Sequence, residues 1–251
     1  MFDQYAIIFD RLWQTYTVAL LVSVILSLIW VLWRTPAPQR GRVFDVCLLA
    51  LIGAVLIGRG VHVAVQWDFF ADHRELIVQL DRDGGLSWHG ALLGALIVGG
   101  VIARWRGVTF VPLLAHVGAM IPLLAVLSWY ACATAGCAYG AEVASMADYP
   151  PMLTWMGADH YQIDAPRFAT QPLAMLALCL TAPTVWYYYS RRQTRLLTFP
   201  VALMWVALIA FVVAFWRGDS SPVVGGLRVA QWLDVLVLVG CVGVIRWLNA
   251  R

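Results

Sequence analysis

The sequence predicts an all-α integral membrane protein with seven transmembrane helices. Hydrophobic residues make up 62% of the chain and charged residues only 12%, a balance that is foreign to soluble domains. Apolar stretches of roughly 20 residues, the length that crosses a bilayer, follow one another along the whole chain. No polar linker separates them, so we expect residues 1–251 to form a single polytopic domain.

The candidate spans are bounded by short polar or charged segments. They run approximately over Thr15–Trp33, Val43–Val65, His89–Trp105, Phe110–Ala131, Pro172–Tyr189, Leu197–Trp216 and Val229–Trp247. Two connecting loops, 67–88 and 140–170, are much longer than the others.

Charge is distributed unequally between the two sides of the predicted bundle. One set of alternate loops, with the C-terminal tail, carries arginines and no carboxylate: Arg34, Arg40, Arg42, Arg104, Arg106, Arg191, Arg192, Arg195, Arg246 and Arg251. The opposite loops mix arginines with many carboxylates, such as Asp68 and Glu75. The positive-inside rule therefore predicts an outside N-terminus, a cytoplasmic C-terminus and outward-facing long loops. A net charge of +3 is too small to indicate a nucleic-acid partner.

Arg59 lies inside the second candidate span, between Gly58 and Gly60. A charge at that depth costs several kcal/mol unless it is paired, reaches the interface or faces a wet cavity. Two interpretations stay open. The long side chain can extend to the outer interface, or it can line a cavity that the flanking glycines help to form.

A glycine-rich turn precedes the third span and places a histidine at its mouth. The segment reads Gly84-Gly85-Leu86-Ser87-Trp88-His89-Gly90. His89 could act as a general base or donate a hydrogen bond to a lipid headgroup. The alternative is a histidine in the first helical turn without chemistry. The first amides of the helix would favour an anion nearby, and a lipid phosphate is the natural anion at that depth.

Other polar residues near span ends have simpler explanations. Thr170 and Pro172 suit the beginning of a helix, which leaves Gln171 as a candidate polar lining. Arg217, at the end of the sixth span, reads as an interfacial arginine. The five cysteines lie mostly in apolar stretches as small hydrophobes, and the spacing of Cys132 and Cys137 gives little support to a metal site, so no metal is expected.

Five segments in order, from about Asp45 to Val235, resemble the prolipoprotein diacylglyceryl transferases. They are Leu56–Val63, Gly84–Gly94, Ala135–Gly140, Ala169–Gln171, and Phe215–Asp219 with Val229–Trp232. The resemblance implies that family's fold in the bacterial inner membrane. It also implies transfer of diacylglycerol from phosphatidylglycerol to the thiol of a lipobox cysteine at the outer face.

The resemblance assigns roles residue by residue. His89 would be catalytic. The residues expected to bind lipid or its headgroup are Arg59, Gly84, Gly85, Ser87, Gly90, Tyr139, Gly140, Gln171 and Arg217.

Four positions depart from the family's pattern. Trp129 stands where the family has an arginine, and Val206, Ala210 and Ala214 stand where it has a tyrosine, an arginine and a glutamate. The last three are spaced i, i+4 and i+8, so one helical stripe expected to be polar is apolar. Losing one phosphate-binding arginine typically costs several kcal/mol of transition-state stabilisation.

These departures predict a family member without the usual catalysis. Its ligand would be phosphatidylglycerol, a quinone or a carotenoid-like molecule. Its partners would be membrane lipids and other membrane subunits, in a larger inner-membrane complex of respiratory or photosynthetic type. An active phosphatidylglycerol–prolipoprotein diacylglyceryl transferase is the main alternative. A transferase for another acceptor, or a transporter, is a third, although the sequence has no internal repeat of the kind common in transporters.

Overall fold

The computed structural model describes residues 5–8, 11–79 and 85–250, which are mostly helical. The helices are α1 (Thr15–Arg34), α2 (Arg40–Val65), α3 (Trp67–Asp72), α4 (Trp88–Arg106), α5 (Phe110–Gly118), α6 (Ile121–Ala135), α7 (Thr170–Ser190), α8 (Thr198–Val213) and α9 (Val229–Asn249). Each predicted span therefore matches one helix, or two in the case of the fourth.

The fourth predicted span is broken. Helices α5 and α6 meet at an angle of 52° across a short break. Pro122 lies in the first turn of α6. Its ring leaves no N–H for the Gly118 carbonyl and would clash with it, so a continuous helix cannot pass this point.

Among the described residues, five helices are long and apolar enough to cross a membrane, or six if the bent pair counts as one span. Helix α7 is not one of them. It is 21 residues long, but Thr170, Gln171 and the run Tyr187–Tyr189 make it more polar than the others. A multi-pass helical protein is therefore confirmed, whereas seven spans stay a prediction.

In the described part of the chain, three short antiparallel hairpins lie outside the predicted spans, and the sequence analysis predicted none of them. They are β1 (Tyr5–Ile8) with β2 (Arg11–Gln14), β3 (Thr154–Ala158) with β4 (Asp164–Phe168), and β5 (Val223–Val224) with β6 (Leu227–Arg228). The middle hairpin pairs Thr154 with Phe168 and Ala158 with Asp164. It gives the 140–170 loop an ordered frame.

The chain divides into two compact units, described separately below. The α6–α8 unit comprises Met1–Ile29, Leu114–Ser220 and Ala230–Arg251. The α2–α4 unit comprises Trp30–Leu113 and Ser221–Val229.

Small residues bring α2 and α4 together in the α2–α4 unit. A Cβ atom on Gly94 would collide with the carbonyl oxygen of Gly53, and one on Gly58 would lie 3.3 Å from the Cβ of Ala91. Close backbone approach of this kind is how helices pack without the hydrophobic effect of water.

The core of the α6–α8 unit lies between α7 and α8. Ala174 and Leu178 of α7 pack with Ile209 and Val213 of α8, and all four are buried. This contact fixes the position of the two helix ends that carry Gln171 and Arg217.

Candidate functional site

In the α2–α4 unit, Arg59 is buried and its guanidinium is directed at backbone carbonyls. Nε donates to the Ile77 carbonyl at 2.9 Å, and Nη1 donates to that of Gly85 at 3.0 Å. Nη2 donates to the carbonyls of Leu76 and Gln79 at 2.6 and 3.2 Å. Arg59 therefore holds the loop between α3 and α4 onto α2. These contacts account for its burial, since they satisfy a charge that would otherwise be costly there.

Gly85 lies directly against the imidazole of His62. A Cβ atom at position 85 would collide with His62 Nε2, and the glycine has a φ of +76°, a conformation that L side chains rarely adopt. The His62 ring in turn lies edge-on to Phe70 at 5.8 Å, and Arg59 Cζ lies 5.1 Å from the same phenyl ring. A larger residue at position 85 would strain the backbone and displace the His62 ring. Gly84 lies outside the described residues.

The predicted signature at the start of α4 forms a capped helix end. The Ser87 hydroxyl accepts a hydrogen bond from the Gly90 amide at 3.4 Å, and the Ser87 amide donates to the Gly58 carbonyl at 3.1 Å. His89 is half-buried in the first turn of α4, with its ring 4.0 Å from that of Trp88. Ser87 and Gly90 thus have a structural role, and His89 lies close to the residues that Arg59 holds.

In the α6–α8 unit, Tyr139 and Gly140 belong to an extended segment. It lies between the residues that follow α8 and the end of β4. The Gly218 amide donates to the Tyr139 carbonyl at 2.8 Å, and Gly140 forms an antiparallel bridge with Arg217. A Cβ atom on Gly140 would collide with the Phe168 carbonyl oxygen, so a larger residue would push β4 away.

Thr170 and Gln171 fix the end of the same segment to α7. The Thr170 hydroxyl donates to the Ala138 carbonyl at 2.7 Å, and the Gln171 amide donates to the Cys137 carbonyl at 2.9 Å. Both side chains are almost completely buried. Gln171 was predicted to line a polar site, and here its amide nitrogen binds backbone.

Arg217 follows α8 and is paired within its own turn. Its Nε donates to Asp219 Oδ1 at 2.8 Å, and Nη2 forms a second, shorter contact with Oδ2 of the same carboxylate. The bidentate pair neutralises much of the arginine's charge.

Arg167 and Asp159 form a buried cluster that the sequence analysis missed. Arg167 Nη2 lies 3.3 Å from Asp159 Oδ2, and Nε donates to the Gly157 carbonyl at 3.2 Å. The guanidinium also lies 4.9 Å from the Tyr139 ring. Both residues were assigned to an outer loop of unknown structure, because no periodic pattern indicated that Arg167 faces inward on a strand.

The cluster changes the ionisation of its members. The pKa of the Asp159 carboxyl lies below its usual range. Burial opposes this shift, but hydrogen bonds from the Ile163 and Tyr161 amides and the nearby Arg167 outweigh it. The pKa of the Tyr139 hydroxyl is raised, first by burial and then by the Asp219 and Asp159 carboxylates. Tyr139 therefore stays a neutral hydrogen-bonding group at neutral pH.

The four positions that depart from the family's pattern lie in apolar surroundings. Trp129 of α6 and Val206 of α8 pack against the core of the α6–α8 unit. Ala210 is half-buried on α8, and Ala214 just beyond it is buried. None of these side chains carries a charge, and only the indole N–H of Trp129 could donate a hydrogen bond.

Cys132 and Cys137 form a disulfide, which the sequence analysis did not predict. Their Cα atoms lie 4.9 Å apart because α6 ends between them in a turn at Gly136. The pair lies next to the Tyr139–Gly140 segment. Within the described ranges, no three His, Cys, Asp or Glu side chains come together as a metal site would require.

The predicted site residues thus fall into two groups, one in each unit. Arg59, Gly85, Ser87 and Gly90 gather where α2 meets α4 and the outer loop. A second group gathers around the Tyr139–Gly140 segment, with Gln171 and Arg217.

Known proteins resemble this chain in sequence. The profile of the family described as prolipoprotein diacylglyceryl transferase matches residues 8–247. A phosphatidylglycerol–prolipoprotein diacylglyceryl transferase from Bacillus cereus (strain B4264) is 39% identical over 66 residues. Proteins with the same name from Bacillus licheniformis and Bacillus anthracis are 36% and 38% identical over the same length.

Each of these pairwise alignments covers 26% of this chain, and the chain spans only about a quarter (24%) of the length of the curated relatives it matches. The family profile, by contrast, extends over nearly the whole chain. The chain therefore belongs to the prolipoprotein diacylglyceryl transferase family.

Proposed function

We propose that this protein keeps its family's membrane fold without the usual transferase activity. It binds a lipid or a hydrophobic cofactor as a subunit of a larger complex of the bacterial inner membrane, respiratory or photosynthetic in type. The observation that carries the proposal is the packing of Trp129 and Val206 against the α7–α8 core, at positions where the resemblance implies an arginine and a tyrosine.

The family's reaction requires charged groups that this arrangement does not offer. A base must take the proton of the acceptor thiol, and cations must hold the phosphate that leaves phosphatidylglycerol. Losing one such cation weakens transition-state binding by about 3 kcal/mol, or roughly a hundredfold in rate. Here Trp129 and Ala210 stand at two of those positions.

The arginines that could substitute are already engaged. Arg59 donates to four backbone carbonyls, Arg217 is paired with Asp219, and Arg167 donates to Gly157 and Asp159. Recruiting any of them to a phosphate would break contacts within the fold. This favours loss of catalysis over a relocated site built from Arg59, His89 and Arg217.

The apolar side chains at the family's polar positions on α6 and α8 favour a hydrophobic ligand. Trp129, Val206 and Ala210 present aromatic and aliphatic surface that suits an acyl chain, a quinone ring or a carotenoid. The polar residues proposed to meet a lipid headgroup are Tyr139, Gln171 and Arg217 in the α6–α8 unit and, as a separate candidate site, Arg59 and His89 in the α2–α4 unit. Membrane lipids and other membrane subunits are the proposed partners, with no nucleic acid.

The proposed topology is one polytopic domain of seven spans, with the N-terminus outside and the C-terminus in the cytoplasm. The distribution of arginines supports it. The Cys132–Cys137 disulfide supports it independently, since it lies on the side assigned to the exterior, where bonds of this kind persist. In this topology α7 is the fifth span, and its first turn, with Thr170 and Gln171, faces outward.

A second candidate function is an active transferase. It is favoured by the similarity to three proteins that bear the enzyme's name. In this case His89 would be the base, and Arg59 or Arg217 would rearrange to hold the phosphate.

The deciding experiment is a transferase assay on the purified protein. A lipobox peptide and phosphatidylglycerol are incubated with it, and the thioether-linked product is sought by mass spectrometry. The Bacillus cereus relative serves as the positive control. We expect no product above background; formation of product at a rate near that of the control would establish the second candidate instead.

Native mass spectrometry of the protein extracted from its own membrane tests the rest of the proposal. We expect stoichiometric membrane subunits, or a bound quinone or carotenoid. A monomer that carries only phosphatidylglycerol would contradict the role as a complex subunit.

A further inference from the structure

The α2–α4 unit contains an open cleft of about 510 Å³ at the beginning of α2 and the end of α4. Its lining combines charged and apolar side chains. The charged ones are Arg40, Arg42, Arg106 and Asp45, and the apolar ones include Leu32 and Phe44. None of them belongs to the candidate site described above.

The charges of the cleft are not balanced. Three arginines face one carboxylate, Asp45, so the net charge is 3 − 1 = +2. Arg106 is paired with Asp45, and Arg40 Nε donates to the Thr35 carbonyl at 3.1 Å. Within the part of the chain that the structure describes, Arg42 makes no hydrogen bond or ion pair, and its Nη1 stands 3.8 Å from where a Cβ of Gly107 would be. The cleft therefore offers an uncompensated guanidinium.

An apolar stripe continues from the cleft along α2. Phe44, Leu48 and Ile52 are spaced i, i+4 and i+8, so they share one face of the helix. Their exposed fractions are 40%, 44% and 49%. If a molecule binds in the cleft by its anionic end, its hydrocarbon chain can pack against this exposed apolar stripe.

Tryptophans mark the depth of the cleft. Trp33 and Trp105 lie at the ends of α1 and α4 and are 65% and 80% exposed. Tryptophan concentrates where headgroups meet the hydrocarbon core. The arginines beside them are therefore at the level of lipid phosphates.

We infer that this cleft binds the phosphate of an anionic glycerophospholipid, whose acyl chains lie along the Phe44–Leu48–Ile52 stripe. A guanidinium binds phosphate oxygens bidentately, and no residue that the structure describes competes for that of Arg42. Basic pockets between membrane helices on the cytoplasmic side suit such headgroups. The inference rests on the proposed topology but not on the proposed loss of catalysis, because it uses a different face and predicts binding without reaction.

Binding is tested by native mass spectrometry of the purified protein with phosphatidic acid, and with phosphatidylcholine as the zwitterionic comparator. We expect phosphatidic acid to be retained preferentially. Arg42→Gln should weaken its binding about fivefold, the effect of one interfacial arginine. Arg42→Lys keeps the charge and should retain most of the binding, and Asp45→Asn removes the competing carboxylate and should strengthen it.

The matched control is Arg192→Gln. Arg192 is an exposed arginine between α7 and α8 and is not part of the cleft lining, so the same charge is lost elsewhere. The inference is overturned if Arg42→Gln and Arg192→Gln weaken binding equally, or if phosphatidic acid is not preferred. Inorganic phosphate is added as a competitor. If it displaces the lipid at equal concentration, the site recognises free phosphate and the assignment to a lipid fails.

Discussion

The guanidinium of Arg167 lies 3.3 Å from the carboxylate of Asp159, across the β3–β4 hairpin, and both residues are largely buried. The pair orders the 140–170 loop. It also places a cation beside Tyr139, within the segment that carries the family's motif. A segment that the sequence analysis described only as a long connecting loop thus has a polar core of its own.

Breaking this pair should destabilise the hairpin. Arg167→Ala leaves Asp159 buried without its cation, and removing one partner of a buried pair typically costs about 3 kcal/mol or more. We expect faster proteolysis of the 140–170 loop at unchanged helical content. Asp164→Asn, which changes an exposed carboxylate on the same hairpin, is the control and should cleave as the wild type does. Equal cleavage of Arg167→Ala and the wild type would contradict the prediction.

The same hairpin should loosen at acid pH. The pKa of Asp159 is lower in the folded protein than in the unfolded chain, so the carboxylate contributes stability above its ordinary pKa of about 3.9. This contribution is lost as pH falls below that value and through the depressed pKa. Hydrogen exchange of the β3 and β4 amides should therefore accelerate below about pH 4, after correction for intrinsic exchange. An Asp159→Asn variant should lack this transition.

Arg59 should act as a clamp for the outer loop. Arg59→Gln removes most of the hydrogen bonds to the carbonyls of Leu76, Ile77, Gln79 and Gly85. Hydrogen bonds from charged donors contribute about 2 kcal/mol each, and their sum is not additive. We expect the 74–79 amides to exchange at least tenfold faster, with little rescue by Arg59→Lys, because one ammonium cannot reach all the carbonyls. An unchanged exchange rate would exclude the clamp.

Gly140 and Gly240, both in the α6–α8 unit, allow a matched comparison of how a tight and an open glycine position tolerate alanine. Gly140→Ala introduces a Cβ that collides with the Phe168 carbonyl, whereas a Cβ on Gly240 of α9 has nothing within 4 Å. Gly140→Ala should lower the melting temperature by several degrees, since overpacking costs about 1–3 kcal/mol. Gly240→Ala should be neutral or mildly stabilising because alanine favours helix. Thermal unfolding in detergent, followed by fluorescence, distinguishes the two.

Introducing arginines at two of the family's positions should test the proposed loss of transferase activity. If loss of the family's arginines is the cause, Trp129→Arg with Ala210→Arg should raise thioether formation above that of the wild type by about tenfold or more. Trp129→Gln with Ala210→Gln adds polarity without charge and is the control. If neither variant is active, loss of the two arginines is not by itself the cause of the proposed inactivity.

Much of the helical fold could be predicted because helix formation in a membrane depends on local sequence. Long apolar stretches such as Val43–Val65 and Val229–Trp247 have only one way to satisfy their backbone polar groups in lipid. Both lie within helices whose ends differ from the prediction by a few residues. The family resemblance was equally local, since it rested on short motifs, and the profile match over residues 8–247 confirmed it.

The outer loops could not be predicted in this way. The Arg167–Asp159 pair depends on a hairpin register that brings β3 against β4, and the carbonyls that bind Arg59 come from residues 17 to 26 positions away. No periodic pattern encodes such contacts. The break between α5 and α6 follows from Pro122 but was read as one span, because apolar composition continues across it.

The sequence by itself determined that the chain is a multi-pass helical member of its family, and that Trp129, Val206, Ala210 and Ala214 are apolar. Both follow from residue identity and local pattern. Only the tertiary structure decided what the arginines do: Arg59 donates to backbone carbonyls, Arg167 to a carbonyl and a carboxylate, and Arg42 has no hydrogen bond or ion pair among the described residues. A guanidinium's role depends on which acceptors surround it in space, and those acceptors come from segments that only folding brings together.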